Sequence, residues 1–252
     1  MKRVSLIMPA ILIALALGLV ACKKDTNTTP GYSTLDIKIQ ALNKSYSLPV
    51  NNSGTKSASA DSTFITWDTA RMIVSRVKYE AELNSLITRH DSIKISYEWN
   101  GPLEINPFDT NISIGNFILQ PGYYDEIELK VNGSKHDAGG KPIFYLHGIY
   151  TMNDTTSLPI IVIVNEDIMF KTEKDSVEVT ATDNSDFTSI IQLKLDLLLA
   201  DIQIPALDNA TLTNGAILIS ADINTELYQI IMRNLARKHH SKHHHHHGHG
   251  HS

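Results

Sequence analysis

The sequence predicts a mainly β protein, an antiparallel β-sandwich (Ig-like or related) with one C-terminal amphipathic helix. Three observations predict it. Apolar and polar residues alternate with a period of two in segment after segment from Leu35 to Leu195. Turn residues separate many of these segments: Pro121-Gly122, Asn132-Gly133, Gly139-Gly140, Asn153-Asp154 and Asp183-Asn184. Helical spacing appears only near the end, at Leu227, Ile230, Ile231 and Leu235. Many short strands at this spacing favour a sandwich or barrel over a βαβ fold. With 42% hydrophobic and 19% charged residues among 252, the chain has a globular composition, not a disordered one.

The first segment is an address. Lys2 and Arg3 precede a run from Val4 to Val20 that is apolar except at Ser5, Pro9 and Gly18. So short a run, followed at once by Lys23, Lys24 and Asp25, reads as a signal peptide over 1–21 rather than a membrane span. Leu19-Val20-Ala21-Cys22 resembles the lipobox of bacterial lipoproteins. The resemblance implies that diacylglycerol is attached to the Cys22 sulfur and that Cys22 becomes the mature N-terminus. Cys22 is the sole cysteine, and the small Ala21 before it suits peptidase access. The competing reading is an ordinary signal peptide that contains a cysteine. Acyl chains such as palmitate would contribute about 0.8 kcal/mol of membrane binding per buried CH₂. Residues 22–34 then read as a lipidated cysteine and a polar tether. Lys23 stands where an Asp would signal inner-membrane retention, which favours the outer membrane with the domain facing the periplasm or the exterior.

The body is assigned to 35–237. Leu35, Ile37, Ile39 and Ala41 alternate with polar residues as a half-buried strand does. Asn51 to Ser62 reads as a loop. Phe64 to Leu83 is one long extended run with a one-residue slip near Ser75–Arg76, the sign of a β-bulge. Ile93, Ile95, Tyr97 and Trp99 form the next strand, with Asn100-Gly101-Pro102 as a turn after it. Further strands are expected at Leu103–Ile105, Asn116–Gln120, Tyr124–Val131, Ile143–Met152, Leu158–Val164, Ile168–Thr172, Ser176–Ala181, Ser189–Leu195 and Ala216–Ser220. Asp196 to Asp201 reads as a helical turn. Asn224 is the expected N-cap of a helix over Thr225–Arg237. Residues 238–252 are expected to be a disordered His-rich tail.

Three segments carry a further likeness: Tyr97-Glu98-Trp99-Asn100-Gly101-Pro102, Leu119 through Leu129 with its Pro-Gly-Tyr-Tyr-Asp-Glu phrase, and Asp208 through Tyr228. They resemble uncharacterised cell-envelope lipoproteins of the Bacteroidota and a lipoprotein domain of unknown function with a β-sandwich fold. The resemblance covers about 33–237 and implies location and fold. Its motifs are structural and imply no catalytic role.

Chemistry leaves few candidates. The net charge of −5 offers no basic surface for a phosphate backbone, so no nucleic-acid role is expected. No phosphate loop, G-x-S-x-G, HExxH or EF-hand spacing occurs. His90, His136 and His147 are the histidines of the body and read as structural or solvated. Glu126 and Glu128, at i and i+2, could bind a metal or act on a sugar, against the usual reading of a solvated face. Asp183, Asn184 and Asp186 have oxygens suited to Ca²⁺ but read more simply as a turn. Trp67, Tyr97 and Trp99 could stack a sugar, although Trp99 on an alternating strand suits a core.

The tail is the exception. Nine of twelve histidines fall within 239–252: His239, His240, His243, His244, His245, His246, His247, His249 and His251. Imidazole suits Zn²⁺, Ni²⁺ and Cu²⁺, and such a tract has no fixed geometry and little selectivity. A purification tag and incidental metal affinity are the alternatives. The expected function is therefore a lipid-anchored, non-enzymatic binding or structural module that meets an envelope protein or glycan and requires no cofactor. The alternative is a lipoprotein that buffers or delivers Zn, Ni or Cu through its tail.

Overall fold

The computed structural model describes residues 33–48, 63–84, 92–152, 156–174, 176–180, 186–236 and 242–245. The alternation read in the sequence becomes burial. In β1 (Ser33–Leu42) Leu35, Ile37, Ile39 and Ala41 are buried and the residues between them are not. β1 pairs antiparallel with β5 (Ser113–Leu119) and parallel with β11 (Asp186–Lys194). β14 (Lys242–His245) covers the far edge of β11, completing a four-stranded sheet.

The second sheet is built on β3 (Phe64–Asn84), a 21-residue spine. Along one edge it pairs first with β7 (Phe144–Met152) and then with β6 (Gly122–Gly133). Along the other it pairs with β2 (Ser45–Ser47) and β4 (Ser92–Ile105). Beyond β7 lie β8 (Thr156–Val164), β13 (Ala216–Ile219) and β12 (Leu212–Thr213). Beyond β6 lie β9 (Ile168–Lys174) and β10 (Val177–Val179).

The structure is thus mainly β, but the expected purely antiparallel order is corrected. β1 runs parallel to β11, and β8 runs parallel to β13. Both pairs join strands far apart in the chain, and alternation is the same in either orientation.

The slip expected at Ser75–Arg76 is present, as a register shift between Val74 and Arg76 against β4. Two more shifts bend the same strand, at Trp67/Thr69 against β7 and at Glu80/Glu82 against β6. The turn expected at Asn100-Gly101-Pro102 is absent, and β4 runs straight through it. Gly101 and Pro102 are unpaired within the irregularity opposite Ser75, where the missing Pro102 N–H costs no ladder bond. A Cβ at Gly101 would meet the Val74 carbonyl at 2.4 Å, so the close approach requires glycine.

Both sheets and the helices contribute to one buried cluster, in which Phe117 of the first sheet stacks on Tyr97 of the second at 5.4 Å. Among the described residues, the helical turn expected at Asp196–Asp201 appears as α1 (Leu195–Leu198), α2 (Ile204–Asp208) was not expected, and α3 (Thr225–Ala236) stands where the C-terminal helix was expected. α3 buries Leu227, Tyr228, Ile231 and Leu235, close to the expected stripe. The Tyr150 hydroxyl donates to Asp208 Oδ1 at 2.7 Å, and Asn234 Nδ2 donates to the Leu198 carbonyl at 3.0 Å. These two bonds tie α2 to β7 and α3 to α1.

Asn224 precedes α3 but does not cap it with its side chain. Its φ is 53°, and its amide clips the Thr211 backbone and the Leu218 carbonyl. The tail also departs from expectation. Lys242–His245, placed in a disordered segment, pairs antiparallel with Ile190–Phe187. Backbone pairing to an open edge needs no apolar side chain, which is why composition did not reveal it.

Candidate functional site

The expected site residues divide into those the structure describes and those outside it. Cys22, His90, His239, His240, His246, His247, His249 and His251 lie outside the described residues, as do Asp183 and Asn184. His243, His244 and His245 lie in β14, opposite Ser189, Thr188 and Phe187. Among the described residues, no three His, Cys, Asp or Glu side chains gather as a metal-holding group. No helix there is long and apolar enough to cross a membrane.

The carboxylate pair of β6 is split by a bulge. Glu126 has φ 47° and is exposed, while Glu128 returns to the ladder. Glu128 bonds both Lys130 and Lys171, and these hydrogen bonds hold its carboxyl below the usual range. The lysines are part of a longer chain. Lys78 pairs with Glu80 at 2.8 Å, Lys130 reaches Glu80 at 3.6 Å, and Lys171 reaches Glu173 at 3.0 Å. Register explains the chain: Lys78, Lys130 and Lys171 lie in one row across β3, β6 and β9, with Glu80, Glu128 and Glu173 in a row beside it. The outward face of this branch neutralises itself and leaves Glu128 no free charge for a metal or sugar.

The aromatic platform is also divided. Trp67 is 2% exposed and belongs to the core, whereas Tyr97 and Trp99 are half-buried and pack against it. His136 Nδ1 lies 3.2 Å from Asp137 Oδ1 on an exposed turn. His147 is more organised. Its Nδ1 lies 2.7 Å from Asp68 Oδ1, and the Thr69 hydroxyl donates to the same oxygen at 2.8 Å. Desolvation alone would raise the Asp68 carboxyl, but the His147 and Thr69 hydrogen bonds and the His147 charge outweigh it and hold it low. The Trp67/Thr69 bulge places Asp68 there. This pair orients an imidazole, but Thr69 engages the carboxylate, so the arrangement does not activate that hydroxyl.

One feature escaped the sequence reading. Around His147 the outward face of β7, β8 and β13 is apolar, with Tyr145, Ile149, Ile161, Ile163 and Leu218 all half-buried. None belongs to the core cluster or packs against it. The signal was the unbroken run Leu158-Pro159-Ile160-Ile161-Val162-Ile163-Val164, which reads as a strand apolar on both faces. No family model, no curated protein and no solved structure matches the chain.

Proposed function

We propose that the chain is a lipid-anchored cell-envelope protein resembling the Bacteroidota lipoproteins, whose β-sandwich body is a non-enzymatic binding or structural module. One observation carries the reading: the sole cysteine, Cys22, closes Leu19-Val20-Ala21-Cys22 directly after an apolar run. Lipid on its sulfur fixes the domain to the outer membrane through the tether of 23–34, facing the periplasm or the exterior. Two sheets contributing inward side chains to one cluster support the sandwich. The body offers its partner, an envelope protein or glycan, rigid sheet faces rather than a reactive cleft. The test is detergent partitioning of the full chain. Wild type enters the detergent phase, and Cys22→Ser lacks the lipid and its cleavage. Equal acylation-dependent labelling of the two refutes the anchor.

A second reading has its own support in the nine tail histidines: the tail gathers Zn²⁺, Ni²⁺ or Cu²⁺. Its test is calorimetric titration of the full chain and of a chain lacking 239–252. Binding should vanish with the deletion and weaken below about pH 6.5, as protons compete for the ring nitrogens. Binding that survives the deletion places the metal elsewhere.

A further inference from the structure

We infer that the outward face of β7, β8 and β13 docks a second copy of this chain, face to face, about a two-fold axis lying across the strands. On β8 the inward residues Ile160, Val162 and Val164 are wholly buried, so the core has no further use for Ile161 and Ile163. An outward face normally carries polar residues, as the Lys and Glu rows on β3, β6 and β9 do. Leaving an apolar one in water is costly and marks an interaction surface.

Its layout is self-complementary. The register sets Thr69, His147, Ile161 and Leu218 in one central row. On one side lies the row of Arg71, Tyr145 and Ile163, and on the other the row of Thr66, Ile149 and Pro159. A two-fold axis along the central row lays each flanking row of one copy on the other flanking row of its mate. Apolar side chains then meet apolar side chains. On the β3 flank, Arg71 of one copy falls over Thr66 of the other, beside Asp68, which the bulge sets between the Thr66 row and Thr69. One symmetry operation thus sets apolar rows on apolar rows and Arg71 near the mate's Asp68, as an isologous contact requires.

The size suits a modest dimer. β7, β8 and the stretch of β3 paired with β7 each have nine residues and β13 has four, which at about 3.3 Å per residue and about 4.7 Å per strand makes about 480 Å² of flat face per copy before side-chain relief, against about 800 Å² per partner in a standard interface.

Cysteine cross-linking of the full chain tests this. Central-row residues face their own symmetry mates across about 10 Å, the spacing of packed sheets. Ile161→Cys and Leu218→Cys, each treated with a short bismaleimide, should give a covalent species of twice the chain mass. Lys130→Cys on the charged face should give none, and the unsubstituted chain controls for Cys22. Adding Ile163→Asp to Ile161→Cys should reduce the product at least tenfold while the melting temperature stays near that of Ile161→Cys. Failure of both central-row variants to cross-link overturns the inference, as does equal yield from Lys130→Cys. A cross-linked product of any other mass also overturns it and assigns the face to a different partner.

Discussion

Two outward faces of one sheet contrast sharply. Across β3, β6 and β9 the side chains turned from the core include Lys78, Glu80, Lys130, Glu128, Lys171 and Glu173, each lysine touching a glutamate, with Met169 as an exposed apolar residue at one end. Across β7, β8 and β13 they include Tyr145, Ile149, Ile161, Ile163 and Leu218, with His147 among them. Both faces cover the same core, so folding does not account for the difference. The charged face is complete in water, whereas the apolar face is complete only against another surface. Where a strand alternates, its outward residues serve solubility. Where alternation fails, they serve contact.

The largest expected effect concerns the side both branches share. Leu129 on β6 is 2% exposed and lies between the outward Glu128 and Lys130. Leu129→Asp should destabilise by about 4 kcal/mol, because an unpaired charge enters the core. Chemical denaturation measures it. Loss below about 1 kcal/mol would mean that β6 turns its other face inward, since a one-residue slip exchanges the faces.

Acid comes next. The Glu128, Glu98, Glu104 and Asp68 carboxyls are all held below their usual range, the glutamates first by hydrogen bonds from basic partners. A carboxyl lowered in the folded state stabilises fully above its unfolded pKa, about 4.3 for Glu, and this is lost as pH falls through the folded value. The melting temperature should therefore hold through neutral pH and fall below about pH 4. Glu128→Gln should shrink that acid loss. At neutral pH the same variant should cost at most about 1 kcal/mol, less in high salt, because the ladder is open to water.

The smallest effect belongs to the apolar face. His147→Gln removes the ring beside Asp68, so the Asp68 carboxyl should titrate closer to its usual value by NMR, with stability changed by about 0.5 kcal/mol or less. An unchanged Asp68 titration would show that the pairing does not persist in water.

How far the sequence was legible follows from what each signal encodes. Alternation reports which side chains are buried, so β1, β6 and the Ser75 bulge of β3 were readable. It does not report strand partners, so the parallel pairs of β1 with β11 and β8 with β13 were not. Gly101-Pro102 looked like a turn because glycine and proline serve turns and bulges alike. Asn214-Gly215, with φ of 51° and 79°, makes the tight turn between β12 and β13, a hairpin signal present in the sequence but not read. Of the site candidates, Glu128 looked available only because its lysine partners lie on neighbouring strands or two residues away. The apolar face was written into Leu158–Val164 but read only as one more strand.

The contrast between the faces comes down to mass in solution. Sedimentation equilibrium of the full chain, in a detergent matched to the solvent density, compares wild type with Ile161→Lys, Ile163→Lys and Lys130→Glu. Wild type and Lys130→Glu should rise toward twice the monomer mass with increasing concentration, and the two isoleucine variants should remain at the monomer mass. A wild type that stays monomeric at the highest concentration, or isoleucine variants that associate equally well, would contradict the assignment of the apolar face to a second copy.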